Sequence, residues 1–169
     1  MSFWRLYYHI VWATKNREPL ITEDVEQQLF AYLVYKSSEL GNYVYAINGW
    51  FDHVHLVISV PPRLPIADVV KNLKGASSHN LNHAGGFDGT FAWQRGYGVL
   101  SFGERQKADA IQYVESQKRH HGEGTTNAWL EHISDQDEGP MDKGIQPHDC
   151  PPYVREPALE YPHLGEPLF

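Results

Sequence analysis

The chain has 169 residues and a formal net charge of −7, and 41% of its residues are hydrophobic. This length suits one domain with an appendage and is sufficient to bury a core. The single cysteine, Cys150, cannot form an internal disulfide, so nothing indicates an oxidising compartment. The N-terminus does not resemble a signal peptide, and no apolar run approaches the roughly 18 residues of a membrane span. We therefore expect a cytoplasmic protein.

The acidic residues are concentrated towards the C-terminus. Residues 1–121 contain 12 basic and 11 acidic side chains, whereas residues 122–169 contain 2 basic and 10 acidic ones. Seven of the eleven prolines lie after residue 134, where β-branched residues are few. We therefore predict a domain over residues 1–133 and an extended, acidic, proline-rich tail over residues 134–169. Because the domain is electrically balanced, the overall acidity does not exclude a nucleic-acid partner.

The first half of the domain is predicted to contain three strands and one helix. Residues 3–13 are rich in aromatic and β-branched side chains, which indicates a strand. Thr22 can cap a helix that Gly41 and Asn42 end. Residues 43–49 alternate as a second strand, and the apolar strand over residues 52–60 follows closely, so we predict a hairpin.

The second half is predicted to contain a helix over residues 66–83, a strand over residues 93–102 and a last helix over residues 104–121. The order β-α-β-β-α-β-α predicts an α+β, ferredoxin-like fold. In that fold a four-stranded antiparallel sheet has helices on one face, here with a further C-terminal helix. Because unrelated functions share this architecture, the fold by itself does not decide the function.

Two histidines one residue apart lie at the start of the third predicted strand. Alternate side chains of a strand share a face, so His53 and His55 project together while Val54 and Leu56 point to the other side. Two imidazoles held in this way can bind one metal ion. The alternative is a polar strand face in contact with water, and residues further along the chain favour the metal.

Tyr113 and Gln117 lie four residues apart in the last predicted helix, and therefore on one helical face. Ala108, Ile111 and Val114 are predicted to face the core instead. A tyrosine beside a metal can attack phosphorus and form a covalent ester, and an amide oxygen is a ligand that suits Mg²⁺ or Mn²⁺. Packing is the alternative role for Tyr113, but the two histidines in the same domain favour a catalytic site.

Five stretches of the domain carry a resemblance to a known family. They read His-Ile-Val-Trp-Ala-Thr-Lys over residues 9–15, Asp-His-Val-His-Leu over 52–56, Leu-Lys-Gly-Ala-Ser-Ser over 73–78, Trp-Gln-Arg-Gly-Tyr-Gly over 93–98, and Tyr113 through His121. In these stretches, and in their order, the chain resembles the single-tyrosine HUH transposases of the insertion-sequence-200-like family. The resemblance is greatest to the REP-associated tyrosine transposases.

This resemblance implies a metal-dependent transposase and endonuclease that binds single-stranded DNA hairpins, such as REP-like hairpins or insertion-sequence ends. Cleavage and rejoining would proceed through a 5′-phosphotyrosine intermediate and leave a free 3′-OH. By position, Tyr113 is the nucleophile, and His53, His55 and Gln117 are ligands of Mg²⁺ or Mn²⁺. The chain departs from the family at Trp50-Phe51, where Met-Pro is common, and at Ser116, where Asn is usual. We expect neither departure to affect a catalytic role.

Further polar side chains are candidate DNA contacts. Two lysines and two serines on the second helix can bind phosphates, and an arginine and a tyrosine on the fourth strand can stack on unpaired bases. A solvated helix face is the alternative for the lysines. His120 and His121 are expected to orient a ligand from outside the metal's own shell or to cap their helix. The candidate DNA contacts are Lys71, Lys74, Ser77, Ser78, Arg95 and Tyr97.

Three other functions share parts of this pattern. A two-histidine phosphoesterase needs a pair of His-x-Ser/Thr motifs, and the chain has no such pair. A rolling-circle replication initiator also combines a HUH strand with a tyrosine helix, but the compact order of elements favours the transposase. A domesticated hairpin-binding protein that no longer cuts is the main alternative, although pure binding does not need all four of His53, His55, Tyr113 and Gln117. A homodimer, with each site built within one chain or across two, is left open.

Overall fold

The structure is a computed structural model in which residues 3–83 and 89–136 are described. Within these residues four strands form one antiparallel sheet in the order β2-β3-β1-β4. This arrangement confirms the predicted four-stranded antiparallel sheet and the α+β class. The strands are β1 (Tyr7–Ala13), β2 (Tyr43–Trp50), β3 (His53–Ser59) and β4 (Gly98–Phe102).

Two long helices, α1 (Glu23–Glu39) and α2 (Ile66–His83), cover one face of the sheet. The main core forms between them and the sheet, because the apolar side of β3 and the inward sides of both helices are buried together. On α1, acidic side chains in the first turn favour the helix start, and Gly41 at φ +84° follows its end. The core includes Ile10, Trp12, Leu29, Leu33, Val54, Leu56, Ile58, Val69, Val70 and Leu73.

The opposite face of the sheet carries the shorter helix α3 (Lys107–Glu115), followed by α4 (Gln117–Glu123). Val114 of α3 is buried against Ala46 of β2 and Val57 of β3 in a second, smaller core. Since Val57 alternates with Val54, Leu56 and Ile58, β3 buries both of its faces. His53 and His55 lie together on the face opposite Val54 and Leu56, as the alternation predicted, and α3 lies on that face.

The hairpin between β2 and β3 requires a glycine at position 49. A Cβ added to Gly49 would lie 2.2 Å from the carbonyl oxygen of His53, which is far closer than van der Waals contact allows. Gly49 therefore allows β2 to approach β3 beside His53. This close approach also brings Trp50 next to the histidine face.

The fourth strand and the last helix differ from their predictions. The strand begins at Gly98 rather than at residue 93, because Gly96 turns the backbone at φ +80° and Trp93 forms a single bridge with Thr14. The predicted helix over residues 104–121 begins as a 3-10 turn and breaks at Ser116, so that α3 and α4 are separate. Ala108 is exposed, and Ala110 instead packs in the second core.

Ser134, the first residue of the predicted tail, pairs with the domain. The N–H of Tyr97 donates to the carbonyl oxygen of Ser134 over 3.1 Å. Residues 137–169, and with them most of the predicted tail and Cys150, lie outside the described residues. The boundary at residues 133 and 134 stays a prediction. In the described part of the chain, no helix has the length and apolar character needed to cross a membrane.

Candidate metal and tyrosine site

His53 and His55 are held in place by their Nδ1 atoms. Both side chains are buried, at 1% and 0% exposure. Nδ1 of His53 lies 2.6 Å from Oδ1 of Asp52, and Nδ1 of His55 lies 2.9 Å from Nε2 of His9 on β1. Partners of this kind fix the orientation of an imidazole and leave its second nitrogen for a metal. Both Nε2 atoms are therefore available on the same side of the sheet.

The Nε2 atoms converge on one carboxylate, that of Glu131. Its Oε2 lies 3.1 Å from Nε2 of His55, 3.3 Å from Nε2 of His53 and 3.7 Å from Nε2 of His121. All four of these ligand atoms lie within 4.8 Å of one another. Three imidazole nitrogens and one carboxylate oxygen are a donor set that a divalent transition metal ion accepts.

Tyr113 shares the same carboxylate. Its hydroxyl donates to Oε1 of Glu131 over 2.7 Å and accepts from the N–H of Asn127 over 3.0 Å. Its ring stacks on His120, with 4.9 Å between the ring centroids, and meets His55 edge-on at 6.2 Å. The structure therefore brings the predicted nucleophile to the predicted histidine ligands.

Gln117 is fully buried at the start of α4, and neither amide atom has a hydrogen bond of normal geometry. Nε2 of His53 and Nε2 of His121 are buried and lack such a bond as well. Leaving a buried polar group unpaired costs on the order of 1–3 kcal/mol, so several in one place need an explanation. A divalent cation bound among them would be a partner for the Gln117 amide oxygen and for the two imidazole nitrogens, and the residues present therefore fit a metal ion.

The ionisation of the site suits a cation. Burial acts to raise the pKa of Glu131, but its contacts with the His53 and His55 imidazoles outweigh this and hold the pKa well below its ordinary value. Burial likewise opposes the shift at Asp52, whose hydrogen bond with His53 lowers the pKa. Two ionised carboxylates therefore flank His53 at neutral pH. That of Asp52 also pairs with Arg17 at 3.1 Å, whereas Glu131 contacts imidazoles.

Tyr113 is uncharged in the absence of a cation. Burial raises the pKa of Tyr113, and the hydrogen bond that it donates to Glu131 raises it further. The N–H of Asn127 and the nearby Gln117 amide act in the opposite direction. The net shift is upwards, so the tyrosine is a phenol at neutral pH and must lose its proton during any attack on phosphorus.

His121 and Trp50 lie closer to the site than the sequence indicated. Nε2 of His121 is part of the cluster around Glu131, although His121 was expected to act from outside the metal's shell. The Trp50 ring stacks on His121, with 5.2 Å between centroids and 15° between planes. Trp50, which stands where the family commonly has Met, therefore contacts the site through His121. His120 instead stacks on Tyr113, and its Nδ1 lies 3.0 Å from Oγ1 of Thr125.

The six candidate DNA contacts lie on α2 and in the segment that leads into β4. The Lys74 ammonium donates to the carbonyl oxygens of Gln94 (2.8 Å) and Gly96 (2.6 Å). Ser77 is buried and accepts from the Trp93 indole, and Ser78 donates to the carbonyl oxygen of Lys74. These contacts give Lys74, Ser77 and Ser78 a role inside the protein.

Three of those candidates have different surroundings. Tyr97 packs against the main core, whereas Lys71 and Arg95 are exposed. As DNA contacts, all six stay predictions.

Sequence reasoning missed three residues that shape the site: His9, Asn127 and Glu131. His9 belongs to one of the five family-like stretches, and its position on the predicted first strand could have indicated a role in the site. Asn127 and Glu131 follow α4 in a segment without strand or helix periodicity. No sequence pattern connects that segment with β3.

The chain is similar to known transposases over most of the described domain. A family model described as IS200-like transposases matches residues 2–117. The chain is 32% identical over 119 residues to the ISDra2 transposase TnpA of Deinococcus radiodurans. This aligned stretch covers 68% of this chain and 85% of that protein. The stretch matched by the family model includes His53, His55, Tyr113 and Gln117 and ends before Glu131.

Two solved structures are similar in fold. One is a crystal structure of a Deinococcus radiodurans R1 protein described as a transposase, with a TM-score of 0.56 and 32% identity over 69% of this chain and 93% of that chain. The other is a REP-associated tyrosine transposase bound to a REP hairpin, with a TM-score of 0.52 and 14% identity over 75% and 76% of the two chains. At 14% identity, the similarity to the second structure shows a shared fold alone.

Proposed function

Because this chain belongs to the IS200-like transposase family, we propose that it is a metal-dependent endonuclease and strand transferase of the HUH tyrosine type. The proposed substrate is a single-stranded DNA hairpin, and the proposed intermediate is a 5′-phosphotyrosine. One observation carries the proposal. The Tyr113 hydroxyl and the Nε2 atoms of His53 and His55 all contact the same carboxylate, so nucleophile and metal ligands face one small volume.

The proposed reaction exchanges one phosphate ester for another. The Tyr113 oxygen attacks the scissile phosphorus and forms a P–O bond, while the bond from phosphorus to the 3′ oxygen breaks. The phenol loses one proton and the departing 3′ oxygen gains one, so atoms and charge balance. Rejoining is the reverse step, in which a 3′-OH attacks the phosphotyrosine and releases Tyr113. Because the ester bond is conserved, rejoining requires no external energy source.

A divalent cation is proposed to be held by His53, His55 and the oxygen of Gln117, with Asp52 and His9 orienting the two imidazoles. When bound, Mg²⁺ or Mn²⁺ would polarise the phosphoryl oxygens and stabilise the departing 3′ oxygen. The negative charge of Glu131, beside the two histidines, favours the cation. The buried amide of Gln117, which lacks a hydrogen bond of normal geometry, supports its assignment as a ligand.

The hairpin substrate is proposed from the family and from the relative of known structure that is bound to a REP hairpin. Exposed Lys71 and Arg95 are the candidates for direct contact with DNA, and Tyr97 is a candidate for base stacking. Lys74, Ser77 and Ser78 are proposed to shape the same surface through their internal hydrogen bonds. A cytoplasmic location and a homodimer are further parts of this proposal.

The test uses the full chain, Mn²⁺ and a panel of single-stranded hairpins labelled at the 3′ end, analysed on denaturing gels. We expect a covalent protein–DNA adduct with the wild type and no adduct with Tyr113→Phe, whereas both bind the hairpin equally. Tyr35→Phe is the matched control, because Tyr35 is exposed on α1. Cleavage by Tyr113→Phe at a near-wild-type rate would remove this tyrosine from the mechanism. Hairpin binding without any adduct in the wild type would favour the non-cutting binding protein.

A further inference from the structure

We infer that Glu131 is a further ligand of the metal ion and that its second oxygen positions the Tyr113 hydroxyl. This inference rests on the metal site of the proposed function and adds to it a residue from the segment after α4. That segment lies beyond residues 2–117, the stretch that matches the family model. Glu131 would therefore be a contribution of this chain that the family motifs do not describe.

The distances around Oε2 of Glu131 suit shared coordination. Nitrogen and oxygen ligands lie about 2.0–2.2 Å from a small divalent ion, which places neighbouring ligand atoms about 3.0–3.6 Å apart. Oε2 lies 3.1, 3.3 and 3.7 Å from the Nε2 atoms of His55, His53 and His121. Two of those nitrogens, in His53 and His121, are buried and lack a hydrogen bond of normal geometry. An ion at their centre would bind all four atoms.

The surroundings of Glu131 also favour a cation. Its side chain is only 18% exposed, and within the described residues its ion-pair partners are imidazoles rather than lysine or arginine. A largely buried carboxylate is costly unless a positive charge compensates it. A divalent ion held by the same imidazoles would supply that charge.

The second oxygen of Glu131 connects this ligand to the nucleophile. Oε1 accepts the hydrogen bond from Tyr113, and the N–H of Asn127 donates to the same hydroxyl. Asn127 and Glu131 belong to one turn, in which the N–H of Glu131 donates to the carbonyl oxygen of Asn127 over 3.1 Å. One short turn thus holds the tyrosine oxygen from two sides while it contributes a metal ligand.

The test measures Mn²⁺ binding by isothermal titration calorimetry on the full chain without DNA. Glu131→Gln keeps the size of the side chain and an oxygen that can accept from Tyr113, but it removes the negative charge. We expect the Kd for Mn²⁺ to rise by about 10-fold or more, as for changes that disturb a metal's surroundings. Glu123→Gln, at an exposed carboxylate on α4, should leave the Kd unchanged.

His53→Ala distinguishes this inference from the proposed function. If His53→Ala loses Mn²⁺ binding while Glu131→Gln binds as the wild type does, Glu131 is not a ligand and the histidine site stands. If the wild type does not bind Mn²⁺, both the inference and the metal-dependent function are overturned. Should Glu131→Gln fail to fold by circular dichroism, Glu131→Asp is titrated in its place. Its carboxylate is one methylene short of the cluster, so wild-type affinity in that variant would overturn the inference.

Discussion

Nε2 of His9 on β1 and Nδ1 of His55 on β3 share a hydrogen bond of 2.9 Å between two buried rings. Burial lowers the pKa of His9 to about 3, so His9 is neutral at physiological pH. For Nε2 of His55 to bind a metal, its Nδ1 must carry the proton and donate it to His9. His9 then acts as the acceptor and keeps its own proton on Nδ1.

We therefore predict that His9→Phe weakens Mn²⁺ binding by about 10- to 100-fold, because His55 loses the acceptor that selects its metal-binding tautomer. Phenylalanine preserves an aromatic ring at this position but cannot accept the hydrogen bond. Calorimetric titration with Mn²⁺ measures the effect, and His79→Phe, at an exposed position on α2, is the control. Unchanged affinity in His9→Phe would show that the hydrogen bond does not control the ligand.

Gln117→Met is expected to separate stability from metal binding. Replacing two buried amide atoms that lack a hydrogen bond of normal geometry by an apolar side chain of similar size should raise the free energy of unfolding of the metal-free protein by about 1 kcal/mol. The same change should weaken Mn²⁺ binding, but less than His53→Ala or His55→Ala does, because water can replace a neutral amide oxygen. Urea unfolding in a chelator and Mn²⁺ titration give the two values. A variant that is both less stable and unaltered in Mn²⁺ affinity would contradict the assignment of Gln117.

Lys74 is expected to make stability depend on pH above neutrality. Burial lowers its pKa from 10.5 to about 8, so between these values the unfolded chain binds more protons than the folded one. The contribution of Lys74 to the free energy of unfolding therefore rises with pH through that window and is lost as the pH falls through about 8. The slope should stay below about 1.4 kcal/mol per pH unit, since the side chain is only partly buried.

Urea unfolding at about pH 7.5 and about pH 9.5 tests this prediction. From the lower to the higher pH, the free energy of unfolding of the wild type should rise relative to that of Lys74→Met. The exposed Lys71→Met should show the same rise as the wild type. The neutral amine retains two N–H groups, enough for its bonds to Gln94 and Gly96. If the free energy of unfolding changes equally with pH in the wild type and in Lys74→Met, the titration of Lys74 does not contribute to stability.

Removal of residues 137–169 is expected to tighten hairpin binding at low salt and to leave cleavage intact. The segment carries seven acidic and two basic residues, and a tethered anionic segment should compete with phosphates for basic side chains. Truncation after Gln136 retains Ser134, which pairs with Tyr97. The difference in affinity should shrink as salt screens the tail. Unchanged affinity at low salt, or an insoluble product, would favour the alternative that the tail packs on the domain or on a partner subunit.

Local patterns in the sequence determined much of this protein. Strand alternation placed His53 and His55 on one face because successive side chains of a strand must point to opposite sides. Helical spacing brought Gln117 close to Tyr113 despite the break at Ser116, because the backbone turn continues from Gln112 to Ser116 and from Ser116 to His120. The order of these elements was sufficient to predict the sheet.

Only the tertiary structure decided which other residues complete the site. Glu131 reaches His55 from 76 positions along the chain, from a segment with no periodicity that could have indicated its direction. His9 became the partner of His55 through the register between β1 and β3, which long-range strand pairing sets. The internal hydrogen bonds of Lys74 depend in the same way on the bend at Gly96. Contacts of this kind arise from packing between distant segments, and no local pattern in the sequence specifies them.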